Sequence, residues 1–356
     1  METLNNIVLT IQHYLADYIL IVALLGGGIW FSVKLGFIQI RGFGEGMRRT
    51  FGGLFSKKGA AGADGMSSFQ ALATAIAAQV GTGNIAGAAT AIAIGGPGAI
   101  FWMWIAAFLG MATIFGEAVM AQKYKQMGED GEITGGPVYY IRAAFTGTFG
   151  KVLAGLFAVL LIFALGFMGN AVQANSIAAA FNTAFGVPQI AMGAILAVLA
   201  LFVFMGGMQR IAKVTETIVP VMAALYIIGA LIVIFYNFKE IPYAFYSIVV
   251  GAFAPSSIVG GAAGATIKLA LTKGVARGLF SNEAGMGSTP HAHAVAKVDH
   301  PVEQGFVAMI GVFIDTFVVL TLNALVIIST LYTKDGILAH GYIGEVTEAI
   351  GKSNLA

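Results

Sequence analysis

Cysteine is absent from the 356 residues, which excludes disulfides and thiolate metal centres. Charge is nearly as scarce. Asp, Glu, Lys and Arg make up 10% of the chain, against roughly 25% in soluble domains. Too few charged groups exist to coat a surface in water, so a soluble enzyme or binding module is excluded. The first 17 residues carry no Lys or Arg, so no signal-peptide n-region is expected. What the chain has instead is 58% hydrophobic residues, 48 glycines and a mean hydropathy of +0.85. That is the composition of an integral membrane protein with several closely packed spans.

One stretch organises the rest. Gln79-Val80-Gly81-Thr82-Gly83-Asn84-Ile85-Ala86-Gly87 interrupts an apolar segment running from about Ser68 to Ile94. Glycine lowers the cost of leaving helical φ/ψ, so a spanning helix is expected to open here. At membrane depth, unwound backbone is tolerated only against protein or a wet cavity. Freed carbonyls suit a cation. Amides opening the next half-helix, at the positive end of its dipole, suit an anion. A zwitterion with a small cation fits such a pair. The same spacing also suits a face of small residues packed against another helix, and both readings stand at this point.

Other spans are expected over about residues 18–37, 99–123, 150–185, 188–207, 214–235 and 302–331, with Gly95-Gly96-Pro97-Gly98 as a tight turn. From Ile241 the chain is apolar only briefly. It stops at 255–264 and resumes over 265–274, so a second discontinuous span is expected, making about eight in all. An outside N-terminus puts 15 of 19 Lys and Arg in or beside cytoplasmic loops. Lys239, Lys334 and Lys352 fall outside, and Lys268 lies within a span near its inner end. The two interrupted segments then run in opposite directions. One transporter domain over 1–356 is expected, all-α and polytopic. It comprises an extra helix (18–37), a first repeat (68–237) and an incomplete second repeat (241–356) of inverted topology.

Several polar residues at membrane depth need explaining. Asn170 and Gln173 share a helix face and either line a pocket or bond between helices. Phe253, before the second interruption, closes over a small side chain or simply packs. Ser256, Gly260, Gly261 and Gly264 mark that interruption. Asp315, beside Thr316 in the last span, needs a cation, a proton or hydrogen-bond donors. Cation coordination or proton coupling is expected there, with a structural bond as the alternative. Asn323 is a further amide on the same span. Glu117 reads as a gate or structural acceptor, and Glu283 as the anchor of a cytoplasmic loop. His291 and His293, two apart, lie on different sides of a helix and outside any His-Glu-x-x-His pattern, so no metal site is expected.

The run Gly95-Gly96-Pro97-Gly98-Ala99-Ile100-Phe101-Trp102-Met103-Trp104, ending at Gly110, resembles the signature of the alanine/glycine:cation symporter family, within the amino acid-polyamine-organocation superfamily. So do Gly81-Thr82-Gly83-Asn84, Thr134-Gly135-Gly136-Pro137 and the run from Gly278 to Ser288. The resemblance implies a leucine-transporter-type fold of two inverted five-helix repeats, with one extra N-terminal helix. The second repeat is expected to be truncated, because family members continue for three more spans. It further implies sodium-coupled, or sometimes proton-coupled, uptake of alanine or glycine by alternating access.

Gly81-x-Gly83-Asn84 is also similar to the first broken helix of neurotransmitter:sodium symporters. Carried over, the amides near Thr82 and Gly83 receive the substrate carboxylate. The carbonyls of Gln79 and Val80, with the Asn84 side chain, face sodium. Gln79 departs from the small apolar residue usual there, so its side chain is expected to contact substrate. The ammonium is expected at the second interruption. A secondary transporter in the cell inner (plasma) membrane follows, monomeric, with no enzyme activity, organic cofactor or nucleic-acid partner. The alternative is a cation channel or uncoupled amino-acid pore, but nothing in the chain repeats to form a ring of carbonyls or charges.

Overall fold

A computed structural model describes residues 2–52, 66–128, 132–254 and 267–332, with side chains from residue 6. Almost all of it is helical. In chain order the elements are α1 (Asn6–Lys34), α2 (Phe43–Phe51), α3 (Ser68–Gln79), α4 (Gly83–Gly95) and α5 (Gly98–Lys123). A small hairpin, β1 (Gln126–Met127) with β2 (Ile133–Thr134), leads into α6 (Pro137–Ala144). Then come α7 (Gly147–Phe185), α8 (Gln189–Phe204), α9 (Gly207–Tyr236) and α10 (Ile241–Phe253). The series closes with α11 (Ile267–Asn282), α12 (Pro290–Val295) and α13 (Pro301–Leu331).

Among the described residues five helices, α1, α5, α7, α9 and α13, are long and apolar enough to cross a membrane; α4 and α8 are shorter apolar helices. The first span differs from expectation. It begins well before residue 18 and ends at Lys34, where Phe37 turns the chain at a left-handed φ of 53°. Asp17 and Tyr18 do not end it, because partners on α11 receive them. Lys273 lies 3.5 Å from Asp17, and the Lys268 ammonium donates to the Tyr18 hydroxyl at 2.7 Å.

Burial divides the helices into two kinds. In their most apolar windows α13 and α5 are 61% and 50% buried, whereas α9 and α7 are 11% and 6% buried. The first pair, with α11 laid along α5, is the core; the second pair presents side chains that a hydrocarbon solvent would cover. Local signals match this arrangement. Ser67 caps α3 by accepting from the Gln70 amide, while Gln70 accepts from the Ser67 amide, a reciprocal capping box. Gly96, at φ 74°, makes the expected turn into α5.

The two ends of α5 give the molecule its polarity. At the end rich in Lys and Arg, the Gln122 amide donates to the carbonyls of His293, Ala294 and Ala296, and Met66 bridges to Ala296. At the opposite end, a Cβ on Gly98 would fall 2.1 Å from the Gly251 carbonyl, and one on Gly95 would meet Ala270 at 3.2 Å. The end of α10 and the start of α11 therefore both stand beside the start of α5. Lys268 and Lys273 belong to that opposite end, which corrects the expectation that Lys268 lies near the inner end of a span. The expected interruption at 255–264 lies outside the described residues. The described helix ends on either side of it, the end of α10 and the start of α11, stand beside the start of α5.

Candidate functional site

The α3 ladder runs as far as the Val80 amide, which donates to the Ile76 carbonyl at 2.7 Å. Val80 then turns extended (φ −80°, ψ 93°), and α4 restarts with wide turns over Gly83–Gly87. Helical bonding is interrupted at 80–82, as the glycines predict. The freed Gly81 amide donates to the Asn84 side-chain oxygen at 3.0 Å. A short polar side chain thus satisfies main chain that the helix has abandoned.

What faces this break is the end of α11. A Cβ on Gly83 would lie 2.9 Å from both the Phe280 carbonyl oxygen and the Ser281 Cα, so only a glycine allows this approach. The Gln79 amide donates to the Asn282 carbonyl at 2.8 Å. Past Asn282 the helix stops. Glu283, Gly285 and Gly287 take left-handed φ values of 56°, 92° and 80° before α12 begins. This second interruption lies beside the middle of α5, with Ala284 against Gly110 and the Gly285 amide donating to Glu117 at 3.0 Å. Glu283 anchors the segment by accepting from Ser288 at 2.5 Å.

The third wall is α13, whose own wide turns run over Phe313–Leu320. Asp315 there is fully buried. Its Oδ1 accepts from the Asn84 amide at 2.7 Å, and its Oδ2 from the Ser281 and Thr316 hydroxyls at 2.9 Å each. No ion pair among the described residues includes it. Beside it, Gln79 Oε1 and the Thr82 hydroxyl are buried without a partner among the described residues. A buried carboxylate and two unmatched oxygens are costly unless a ligand completes them. All are hard oxygen donors.

The residues singled out from sequence fall into three groups. Gln79, Val80, Thr82, Gly83, Asn84 and Asp315 come together at the break. Gln173 joins them from α7, its Oε1 3.2 Å from where a Gly81 Cβ would stand. Asn170 does not join: it is exposed and donates to the Gly166 carbonyl of its own helix at 3.1 Å. Phe253 packs on Phe101 and Trp102 near the start of α5, ring centroids 5.2 and 5.9 Å apart. Ser256, Gly260, Gly261 and Gly264 lie outside the described residues. His293 is buried against Gln304 (2.7 Å), while His291 lies against Gly136.

Ser281 and Asn282 were legible only as part of a family motif, without a role at the break. Gly278, Gly285 and Gly287 around them repeat the pattern of glycines flanking a small amide, and that was the available signal.

The family model described as the sodium:alanine symporter family matches residues 1–352. A sodium/alanine symporter, AgcS, from Methanococcus maripaludis is 44% identical over 324 residues, 90% of this chain and 70% of that protein. A probable sodium/glutamine symporter, GlnT, from Bacillus subtilis is 43% identical over 337 residues (94% and 68%). A putative sodium/proton-dependent alanine carrier, YrbD, from the same organism is 45% identical over 310 residues (87% and 61%). The chain spans about two thirds of the length of the curated relatives it matches. The family is one of transporters, not enzymes, and its members span the membrane several times. This chain belongs to the sodium:alanine symporter family.

Proposed function

We propose that the protein carries a small neutral amino acid, alanine or glycine, into the cell together with Na⁺, by alternating access. The observation that carries this reading is Asp315: buried, without a positive partner among the described residues, and placed where both interruptions meet α13. A carboxylate with amide and hydroxyl oxygens around it suits a hard monovalent cation. Hydroxyls rotate to present lone pairs, so Ser281 and Thr316 can turn from donors to Asp315 into ligands beside it. A proton on Asp315 would serve the same charge balance, which keeps H⁺ as the second coupling ion.

The substrate belongs on the other side of the break. Amides near Thr82 and Gly83 receive its carboxylate, at the positive end of α4. Gln79 Oε1 and the Thr82 hydroxyl, both unmatched, take its ammonium protons. The close approach of Gly83 on α4 to Phe280 and Ser281 on α11 supports a substrate with a small side chain. Relatives whose names specify sodium with alanine, and sodium with glutamine, support an amino acid as cargo and leave its size to this pocket. Rocking of α3, α4 and α11 against the remaining helices would open the site to either side.

The inner membrane, an outside N-terminus and a monomeric carrier complete the reading. The gathering of Arg41, Arg48, Arg49, Lys123 and Lys125 at one end supports that end as cytoplasmic. The test is alanine uptake into vesicles containing the protein, with and without an inward Na⁺ gradient. Uptake driven by the gradient is expected. Uptake indifferent to both Na⁺ and pH gradients would favour the uncoupled pore and sink the proposal.

A further inference from the structure

We propose that Asn323 is a positioning residue for the coupling ion: it holds the main chain that carries Asn84 without touching ion or substrate. The inference rests on the ion-site reading above and assigns a role that reading does not need. Asn323 is buried on α13, eight residues after Asp315, and helical spacing puts the two on one face. Its amide donates to the carbonyls of Asn84 at 2.9 Å and Ile85 at 3.1 Å, in the first turn of α4 after the break. The Asn84 side chain meanwhile donates to Asp315, both to Oδ1 at 2.7 Å and to the main-chain oxygen at 3.1 Å. One helix therefore grips Asn84 twice, by its side chain and by its carbonyl.

The phase of α13 that allows this double grip is itself fixed. In the wide turns over Phe313–Leu320 the Thr316 carbonyl accepts from the Thr321 amide and also from its hydroxyl, the latter at 3.0 Å, and Trp104 of α5 donates to that hydroxyl at 2.9 Å. Asn323 thus ties the restart of α4 to a frame anchored on the core helix α5. Releasing it frees Asn84 to turn away from Asp315. Gln79 hangs from α3, before the break, and bonds to Asn282 independently. The amides near Thr82 and Gly83 precede the two tied carbonyls, so the larger effect should fall on Na⁺ and the smaller on the amino acid. Residues that orient ion ligands typically alter affinity by about 10–100-fold when removed.

The experiment is a NaCl titration of alanine uptake, balanced with choline chloride, for wild type, N323A, N323D and D315N. N323D keeps the volume but removes the donor. It is also assayed in detergent by the rise in Tm on adding NaCl, a measurement that needs no transport. The expected result for both Asn323 variants is a Na⁺ half-saturation raised about tenfold or more, with the alanine KM at saturating Na⁺ changed less than about threefold. Unchanged Na⁺ dependence in N323D, alongside its loss in D315N, overturns the role of Asn323 and leaves the ion site standing. Parallel loss of alanine and Na⁺ affinity also overturns it. Wild-type Na⁺ dependence in D315N sinks the ion-site reading itself.

Discussion

Gly83 and Gly81 flank the same break, yet their replacement by alanine should give opposite results. At Gly83 the new methyl would stand 2.9 Å from two main-chain atoms, Phe280 O and Ser281 Cα, which cannot rotate aside. Restoring ordinary contact near 3.4 Å requires α11 to retreat by about 0.5 Å. Such overpacking costs about 1–3 kcal/mol, offset by up to about 1 kcal/mol from alanine's better helix propensity. The net loss of stability is then between none and about 3 kcal/mol, within the margin of a folded domain. Geometry suffers more. The same retreat stretches the Gln79–Asn282 bond from 2.8 Å toward the limit of hydrogen bonding and pulls Ser281 from Asp315. Misplacement on that scale should reduce Na⁺-driven alanine uptake by about tenfold or more. At Gly81 the methyl meets only the Gln173 side chain, its Oε1 at 3.2 Å, and that end can swing away. G81A should keep uptake within about threefold and cost less than about 0.5 kcal/mol. Both variants are measured by initial rates of uptake normalised to protein in the vesicles, and by Tm in detergent. If G83A transports like wild type, or G81A is the worse of the two, the close approach of α11 to the break is not what makes the site.

Asn84→Ala removes the donor to Asp315 Oδ1 and the acceptor of the Gly81 amide, each about 1–3 kcal/mol when buried and unmatched. Na⁺ half-saturation should rise at least about tenfold; unchanged sodium dependence in an uptake titration would strike Asn84 from the ligands. His293 lies outside the spans, where burial pushes its imidazole down to about 4 from an ordinary 6.5. Its folded pKa is depressed, so the packing of α12 is fully stable above about pH 6.5 and loses about 1.4 kcal/mol per unit as pH falls toward 4. H293Q should flatten the decline of Tm between pH 6.5 and 4.5; parallel curves for the two proteins would refute that origin.

The break at 80–82 was legible because clustered glycines around an asparagine ease a helix open, but the Asn84 side chain, expected to face sodium, receives the freed Gly81 amide. The interruption expected at 255–264 lies outside the described residues, and the one that faces the break, at 283–289, was not read as such from the sequence. Pro255 and the glycines after it look like the stronger breaker, whereas Glu283 makes the 283–289 turn resemble a solvated loop. Its charge is instead enclosed, bonded to Ser288 and only 6% exposed. Periodicity also could not show wide turns. Segments such as Phe313–Leu320 have unbroken helical composition, and nothing in it shows that the Thr316 carbonyl receives both the amide and the hydroxyl of Thr321, five residues on. Asn170 and Gln173 show a different limit: three apart on one regular helix, they differ because Asn170 bonds back to the Gly166 carbonyl of its own helix while Gln173 reaches the break.

Scarce charge and interrupted helices have a common logic. A helix opened inside hydrocarbon exposes main-chain groups that water cannot reach, and Lys or Asp would satisfy them only at a heavy desolvation cost. Neutral amides do the work here. Asn84 receives the Gly81 amide, Gln79 covers the Asn282 carbonyl, Asn323 covers Asn84 and Ile85, and Gln122 covers three carbonyls around α12. Matching is not complete: eight buried side-chain oxygens have no partner among the described residues, and two of them, Gln79 Oε1 and the Thr82 hydroxyl, belong to the interrupted segment itself. Asp315, bonded to Asn84 across this break, accepts three hydrogen bonds but has no cation beside it among the described residues. What favours a ligand at the break is the conjunction of two unmatched oxygens on one interrupted segment with a buried carboxylate that no cation balances among the described residues.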